Sequence, residues 1–115
     1  MTLNKIRSKE KHEDGAHYYM ADYEMGGYIV THYLTKYSDC DVIERFEIFA
    51  KDRTSYLPKI YYSDGHFGKK EKSFEIQTTA YGALNPEEIK KVIAGYQEAI
   101  EAVETLKQEF INVIY

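Results

Sequence analysis

The chain has no tryptophan, one cysteine and only two prolines among 115 residues. The single thiol, Cys40, excludes an intrachain disulfide and any zinc site built on several cysteines. No apolar run approaches 18 residues and no signal peptide is recognisable, so the expectation is an intracellular, soluble, non-membrane protein. Internal repeats, low-complexity tracts and interdomain linkers are missing as well. Two domains would leave each half too short to enclose a good core, so the length suits one. With 43% hydrophobic and 30% charged residues, the composition is that of a folded chain rather than a disordered one.

Paired catalytic groups are also scarce. Cys40 lies between Asp39 and Asp41, whose carboxylates would disfavour a thiolate. His32 alternates with Tyr28 and Val30 on a strand-like run, without a nucleophile or orienting carboxylate beside it in sequence. The stretch "KHEDGAH" holds His12, Glu13, Asp14 and His17, but its spacing matches no helical His-x3-His pair. Strand alternation across an arm-to-strand boundary would not gather these four groups, so no metal or cofactor is expected. The loop "DGHFGKK" lacks the GxxxxGK[ST] order and joins two strands rather than opening a helix. It reads as a solvated loop whose Lys69, Lys70 and Lys72 could meet an acidic patch. Together these absences point away from an enzyme.

Tyrosine is what the chain has in excess, with twelve Tyr beside five Phe. Tyr favours strands and carries an amphipathic ring, so the excess suggests sheet and contact surface. The net charge of −4 is uneven: residues 1–12 carry +3, from Lys5, Arg7, Lys9 and Lys11 against Glu10, and the remainder carries −7. An acidic body argues against direct nucleic-acid binding and suits a partner with a basic surface.

Residues 1–14 read as a solvated basic arm with at most a short helical turn, and residues 15–115 as a single domain. "HYYMADY" and "GYIVTHYLTKY" flank Gly26 and Gly27, which supply the positive φ of a tight hairpin. "VIERFEIFAK" sets Val42, Phe46 and Ile48 on one parity and Arg45 and Glu47 on the other. "LPKIYYSD" is a shorter strand with Pro58 near its start, which suits an edge. "SFEIQTTAY" alternates more cleanly. On the second strand of the hairpin, "GYIVTHYLTKY", Tyr28, Val30 and Leu34 are expected to face the helix, and Thr31, Tyr33 and Thr35 to face outward.

The clearest signal is "ALNPEEIKKVIAGYQEAIEAVETLKQEFINVIY". Asn85 is an N-cap, Pro86 occupies the first helical position, Glu88 completes a capping box, and Leu84 and Ile89 fit a hydrophobic staple. A stripe of Ile89, Val92, Ile93, Tyr96, Ile100, Val103, Leu106 and Phe110 runs to the end of a helix roughly 35 Å long. Beside it lies a lane of small residues, Gly95, Ala99 and Ala102. This lane either lets the helix sit close to the sheet or forms the seam of a homodimer.

The stretch Phe74 to Phe110 resembles small proteins of phages and mobile elements of Gram-positive bacteria, including anti-CRISPR proteins in size, charge and lack of catalytic residues. The resemblance covers the last third of the chain and carries no site residues. It implies a non-enzymatic inhibitor that occupies the nucleic-acid site of a host effector, such as a CRISPR nuclease, in the bacterial cytoplasm.

The expected fold is α+β: a four- or five-stranded antiparallel meander with one long C-terminal helix on one face. The expected function is a protein-binding module. Asp39, Asp41, Glu44, Glu47, Glu75 and Glu101 would meet a basic groove, and Tyr33, Tyr61 and Tyr62 would supply anchoring rings. The alternatives are a homo-oligomer built on Gly95, Ala99 and Ala102, and a nucleic-acid binder using the basic arm and the Lys69–Lys72 loop.

Overall fold

A computed structural model describes residues 1–38, 42–63 and 73–111, with Ile111 described by its backbone alone. The fold is α+β. Strands β1 (Asn4–Glu13), β2 (Ala16–Met25), β3 (Tyr28–Tyr37) and β4 (Val42–Ala50) form a four-stranded antiparallel meander. Two four-residue strands, β5 (Ile60–Ser63) and β6 (Ser73–Ile76), pair into a separate small sheet. Helix α1 (Pro86–Leu106) follows and ends in a π-helical turn over Lys107–Ile111.

The segment read as a basic arm is therefore a full strand. Every residue of β1 is exposed, so no apolar alternation marks it. It is set by the turn that follows: Asp14 and Gly15 both adopt positive φ, the pattern of a two-residue I′ hairpin loop. That turn fixes Glu13 opposite Ala16 and His12 opposite His17. Lysines along β1 and a bulge between Lys5 and Arg7 blunt this sheet edge against further pairing. In the β2–β3 turn only Gly26 has positive φ, as a II′ loop requires. Gly27 serves proximity instead, since a Cβ there would lie 2.6 Å from both Leu57 Cδ1 and Glu98 Oε2.

The helix begins as its sequence requires. The Asn85 side chain accepts from the Glu88 N–H at 2.8 Å, and the Glu88 carboxylate accepts from the Asn85 N–H at 3.2 Å. Its rotation differs from the expected stripe. Gly95, Ala99, Ala102, Val103 and Leu106 are buried, whereas Ile89, Ile93 and Ile100 are about half exposed. The cause is the approach of the loop between β4 and β5: a Cβ on Gly95 would lie 2.4 Å from the Tyr56 carbonyl oxygen. The small lane is thus consumed inside the protomer and is not available as an oligomer seam.

The core joins Met25, Tyr28, Val30, Phe46 and Ile48 of the large sheet to Ile60 and Phe74 of the small one, under Ala99, Ala102, Val103, Leu106 and Phe110. Tyr28 and Val30 face inward and Thr31, Tyr33 and Thr35 lie on the opposite parity, as expected, while Leu34 is only half-buried. The Tyr28 hydroxyl donates to the Pro58 carbonyl at 2.6 Å, and burial pushes its pKa upward, with Glu98 adding to the effect.

Phe46 is the hub of an aromatic cluster, with Tyr62, Phe74 and Phe110 edge-on at 4.7–5.1 Å and His32 stacked at 4.4 Å. His32 and Glu44 are buried at 5% and 6% exposure, with Nε2 and Oε2 2.6 Å apart. The Tyr62 hydroxyl donates to the other Glu44 oxygen at 3.1 Å. One carboxylate thereby ties β3, β4 and β5 together.

The radius of gyration is 16.4 Å, against roughly 13 Å for a compact chain of this length. The excess arises because the core occupies the Met25–Tyr28 end of the sheet, and the β1–β2 hairpin reaches beyond it.

Three outcomes are expected. Gly95→Ala should lower unfolding stability in urea by about 1–3 kcal/mol through overpacking. This is opposite in sign to the ~1 kcal/mol that alanine contributes at an open helical glycine. Gly82→Ala, with nothing within 4 Å of the added Cβ, is the neutral control. Glu44→Ala should cost about 3–5 kcal/mol, because it strands two buried partners. Glu44→Gln, which keeps an acceptor, should cost less, and equal losses would contradict the network. Asp22 accepts from Thr31 at 2.6 Å and from Arg7, and these bonds hold its carboxyl below the usual value. Its stabilisation should be complete above the unfolded carboxylate range (~3.9) and be lost as pH falls through the lowered folded value. Acid titration of Asp22→Asn should lack that component.

Candidate functional site

Three groups of side chains were candidates for function, and their surroundings separate them. The His32–Glu44–Tyr62 network has a catalytic look in composition, with an imidazole, a carboxylate and a phenol in contact. His32 and Glu44 are almost fully enclosed, and Phe46 and Phe110 cover the imidazole at 4.4 and 4.7 Å. A substrate atom cannot reach the imidazole without displacing the core, so the network is structural.

The open face of the large sheet carries Arg7, Lys9 and Lys11 of β1, Tyr18 and Met20 of β2, Tyr33 of β3, and Arg45, Glu47 and Phe49 of β4. Its charges are largely matched in place. Arg7 pairs with Asp22, Lys51 with Glu24, Lys11 with Glu13 at 2.7 Å and Arg45 with Glu47 at 3.9 Å. The Arg45 guanidinium lies over the Tyr33 ring, 4.4 Å from its centroid, and the Tyr33 hydroxyl donates weakly to Glu47 at 3.4 Å. Tyr33 and Glu47 are therefore together, and both are only partly exposed.

The outer side of α1 differs in kind. Ile89, Ile93 and Ile100 are 43%, 53% and 49% exposed, at spacings that place them along one side of the helix. Three half-exposed isoleucines on a single helix form a contiguous apolar stripe rather than scattered surface residues. On the C-terminal half of the helix Glu101 and Glu104 are exposed on the flank of this side, whereas Glu98 lies on the other flank against Gly27, and no basic residue lies in the last turn. Lys90 and Lys91 sit in the N-terminal half, where Lys90 pairs with Glu87 at 3.3 Å.

The remaining sequence-predicted contact residues do not form one surface. Glu44 is buried in the network above and is not a surface contact, because the strand parity of Val42, Phe46 and Ile48 includes it. Tyr62 turns inward to Glu44 and packs at 5.2 Å on Phe74. Tyr61 and Glu75 oppose each other on the outer face of β5–β6, where the Tyr61 hydroxyl donates to Gln77 at 3.1 Å. Glu101 is exposed on α1. Asp39, Cys40, Asp41, Lys69, Lys70 and Lys72 lie outside the described residues.

The histidines of "KHEDGAH" are brought together, contrary to expectation. His12 and His17 are cross-strand neighbours with rings stacked at 4.0 Å, and Glu10 stands two residues before His12 on the same face. The signal that would have revealed this is the Asp14–Gly15 dipeptide, whose two-residue loop dictates the register on either side.

No helix among the described residues is long and apolar enough to cross a membrane. Compared with models of protein families, with curated proteins and with solved structures, the chain matches none.

Proposed function

We propose that this protein is a non-enzymatic binding module that engages a protein partner through the outer side of α1. The observation that carries this reading is the stripe of Ile89, Ile93 and Ile100 flanked by exposed Glu101 and Glu104. An amphipathic helix with apolar anchors at i, i+4 and i+11 is a form that lies in a groove. The acidic half of the helix selects a groove with basic walls and speeds encounter with it. Removing the exposed part of each isoleucine from water would contribute on the order of 1–2 kcal/mol. Inhibition of a nucleic-acid-binding effector is the specific form of this activity that we favour. A basic surface with apolar pockets is what such an effector presents, and the resemblance to anti-CRISPR proteins points the same way.

A second reading rests on the same stripe. Ile89, Ile93, Tyr96 and Ile100 follow the 4-3-4 spacing of a coiled-coil seam. A second copy of the chain is therefore the alternative occupant, with the two seams packed against each other as a homodimer.

Light scattering and affinity capture separate the two. For the leading reading, the wild-type chain is monomeric at tens of micromolar and retains a partner from Gram-positive host lysate at low salt. Ile93→Glu with Ile100→Glu should weaken capture at least tenfold, about 1.4 kcal/mol, with the melting curve unchanged. Glu101→Lys with Glu104→Lys should abolish its salt dependence. Capture unaffected by both pairs of changes would refute the helix surface. A dimer that Ile93→Glu dissociates would establish the second reading.

A further inference from the structure

The geometry points to a divalent transition-metal site at Glu10, His12 and His17, on the β1–β2 hairpin and apart from the surface of α1. One nitrogen of each histidine and one oxygen of Glu10 lie within 4.8 Å of one another. An ion centred among three such atoms would be at most about 2.8 Å from each. The ~2.0–2.2 Å of zinc–nitrogen and zinc–carboxylate bonds is reached when the two imidazoles, stacked at 4.0 Å, turn about their side-chain torsions out of the stack and aim one nitrogen each at the ion. Backbone rearrangement is not needed, because the hairpin register already sets His12 opposite His17. Directly opposed residues on one sheet face have Cβ atoms about 4.5–5.5 Å apart, which suits two imidazoles converging on one ion.

A second observation points to a ligand. The Nε2 atom of His17 is enclosed, makes no hydrogen bond, and faces the Glu10 carboxylate at 3.5 Å. A buried nitrogen with its lone pair or proton unsatisfied is costly, and a metal ion held with Glu10 would satisfy it. His12 and His17 line an open cleft of about 460 Å³ at the tip of the hairpin, together with Gly15, Lys36 and Ser38, which gives an ion a path from solvent.

The donor set selects the class of ion. Two imidazoles and one carboxylate suit zinc or its first-row neighbours, whereas calcium and magnesium require oxygen donors. Three protein ligands leave a position for water or for a donor from another molecule. Lys36, paired directly with His17 across β2–β3, is a cation on this face that opposes the ion. Bound metal would clamp the exposed edge strand β1 to β2 at the end of the sheet farthest from the core.

The test is calorimetric titration of the full chain carrying Cys40→Ser, which removes a competing thiol, with zinc chloride as the probe. One ion per chain should bind with micromolar affinity, and calcium should give no saturable heat. His12→Ala and His17→Ala should each weaken binding at least tenfold, Glu10→Gln severalfold, and Lys36→Ala should tighten it. In the chain with all histidines intact, imidazole NMR signals of His12 and His17 should shift together on zinc addition while those of buried His32 stay. This readout does not depend on any histidine variant folding. Absence of saturable zinc binding, binding indifferent to both histidine replacements, or shifts confined to other histidines would overturn the site.

Discussion

The Glu44 carboxylate is the point on which the two sheets and the helix agree. It lies in the core between an imidazole on β3 and a phenol on β5, with one oxygen toward each. A carboxylate removed from water is tolerated only when such partners are fixed, so the aromatic shell around it must be fixed too. Phe46 stacks on His32 from one side, and Phe110 closes the imidazole from another. Phe110 comes from the π-helical turn after α1, so the C-terminal end of the helix is positioned by the same polar contact that orders the strands. A purely apolar core of this size could slide one sheet over the other. The directional bonds of Glu44 give it a single arrangement.

A second constraint follows from backbone proximity. The Tyr56–Leu57 segment runs against the helix where Gly95 leaves room, and Tyr28 anchors the same loop through the Pro58 carbonyl. With that loop in place, the small residues must face inward. The isoleucines on the neighbouring flank of the helix are then turned to solvent. The exposed stripe is a geometric consequence of the close approach at Gly95, and the apolar content of the helix exceeds what the protomer can bury.

Different parts of this arrangement were legible in the sequence to different degrees, for physical reasons. Capping is local chemistry, and Asn85, Pro86 and Glu88 behave as their types dictate. The inward parity of Tyr28 and Val30 was legible because β3 has one apolar and one mixed face. The rotation of α1 was not, since periodicity gives the width of an apolar stripe and not which half is covered. That choice depends on a loop distant in sequence. Burial of Glu44 had a signal in its shared parity with Val42, Phe46 and Ile48, overridden by the habit of assigning charges to the surface. β1 had no signal of its own, being polar on both faces, and only the turn chemistry of Asp14–Gly15 specified it. The proposed contact residues were chosen by type, so they scattered once β5 and β6 formed their own sheet.

The placement of β1 also changes what the charge distribution means. As a free arm, its excess of basic residues would be available to any polyanion. As an edge strand, it sets Arg7 against Asp22 and Lys11 beside Glu13, and these pairs reduce the field that the open sheet face projects. Arg45 is likewise held over Tyr33 beside Glu47. Among the described cations of this face Arg7, Lys11 and Arg45 are thus paired, which lowers the positive field that a phosphate backbone would meet. Negative charge is carried instead on the C-terminal half of α1, where Glu101 and Glu104 are exposed and the last turn has no basic residue. On the proposed reading, a partner that meets Glu101, Glu104 and the exposed isoleucines together carries positive charge around an apolar groove.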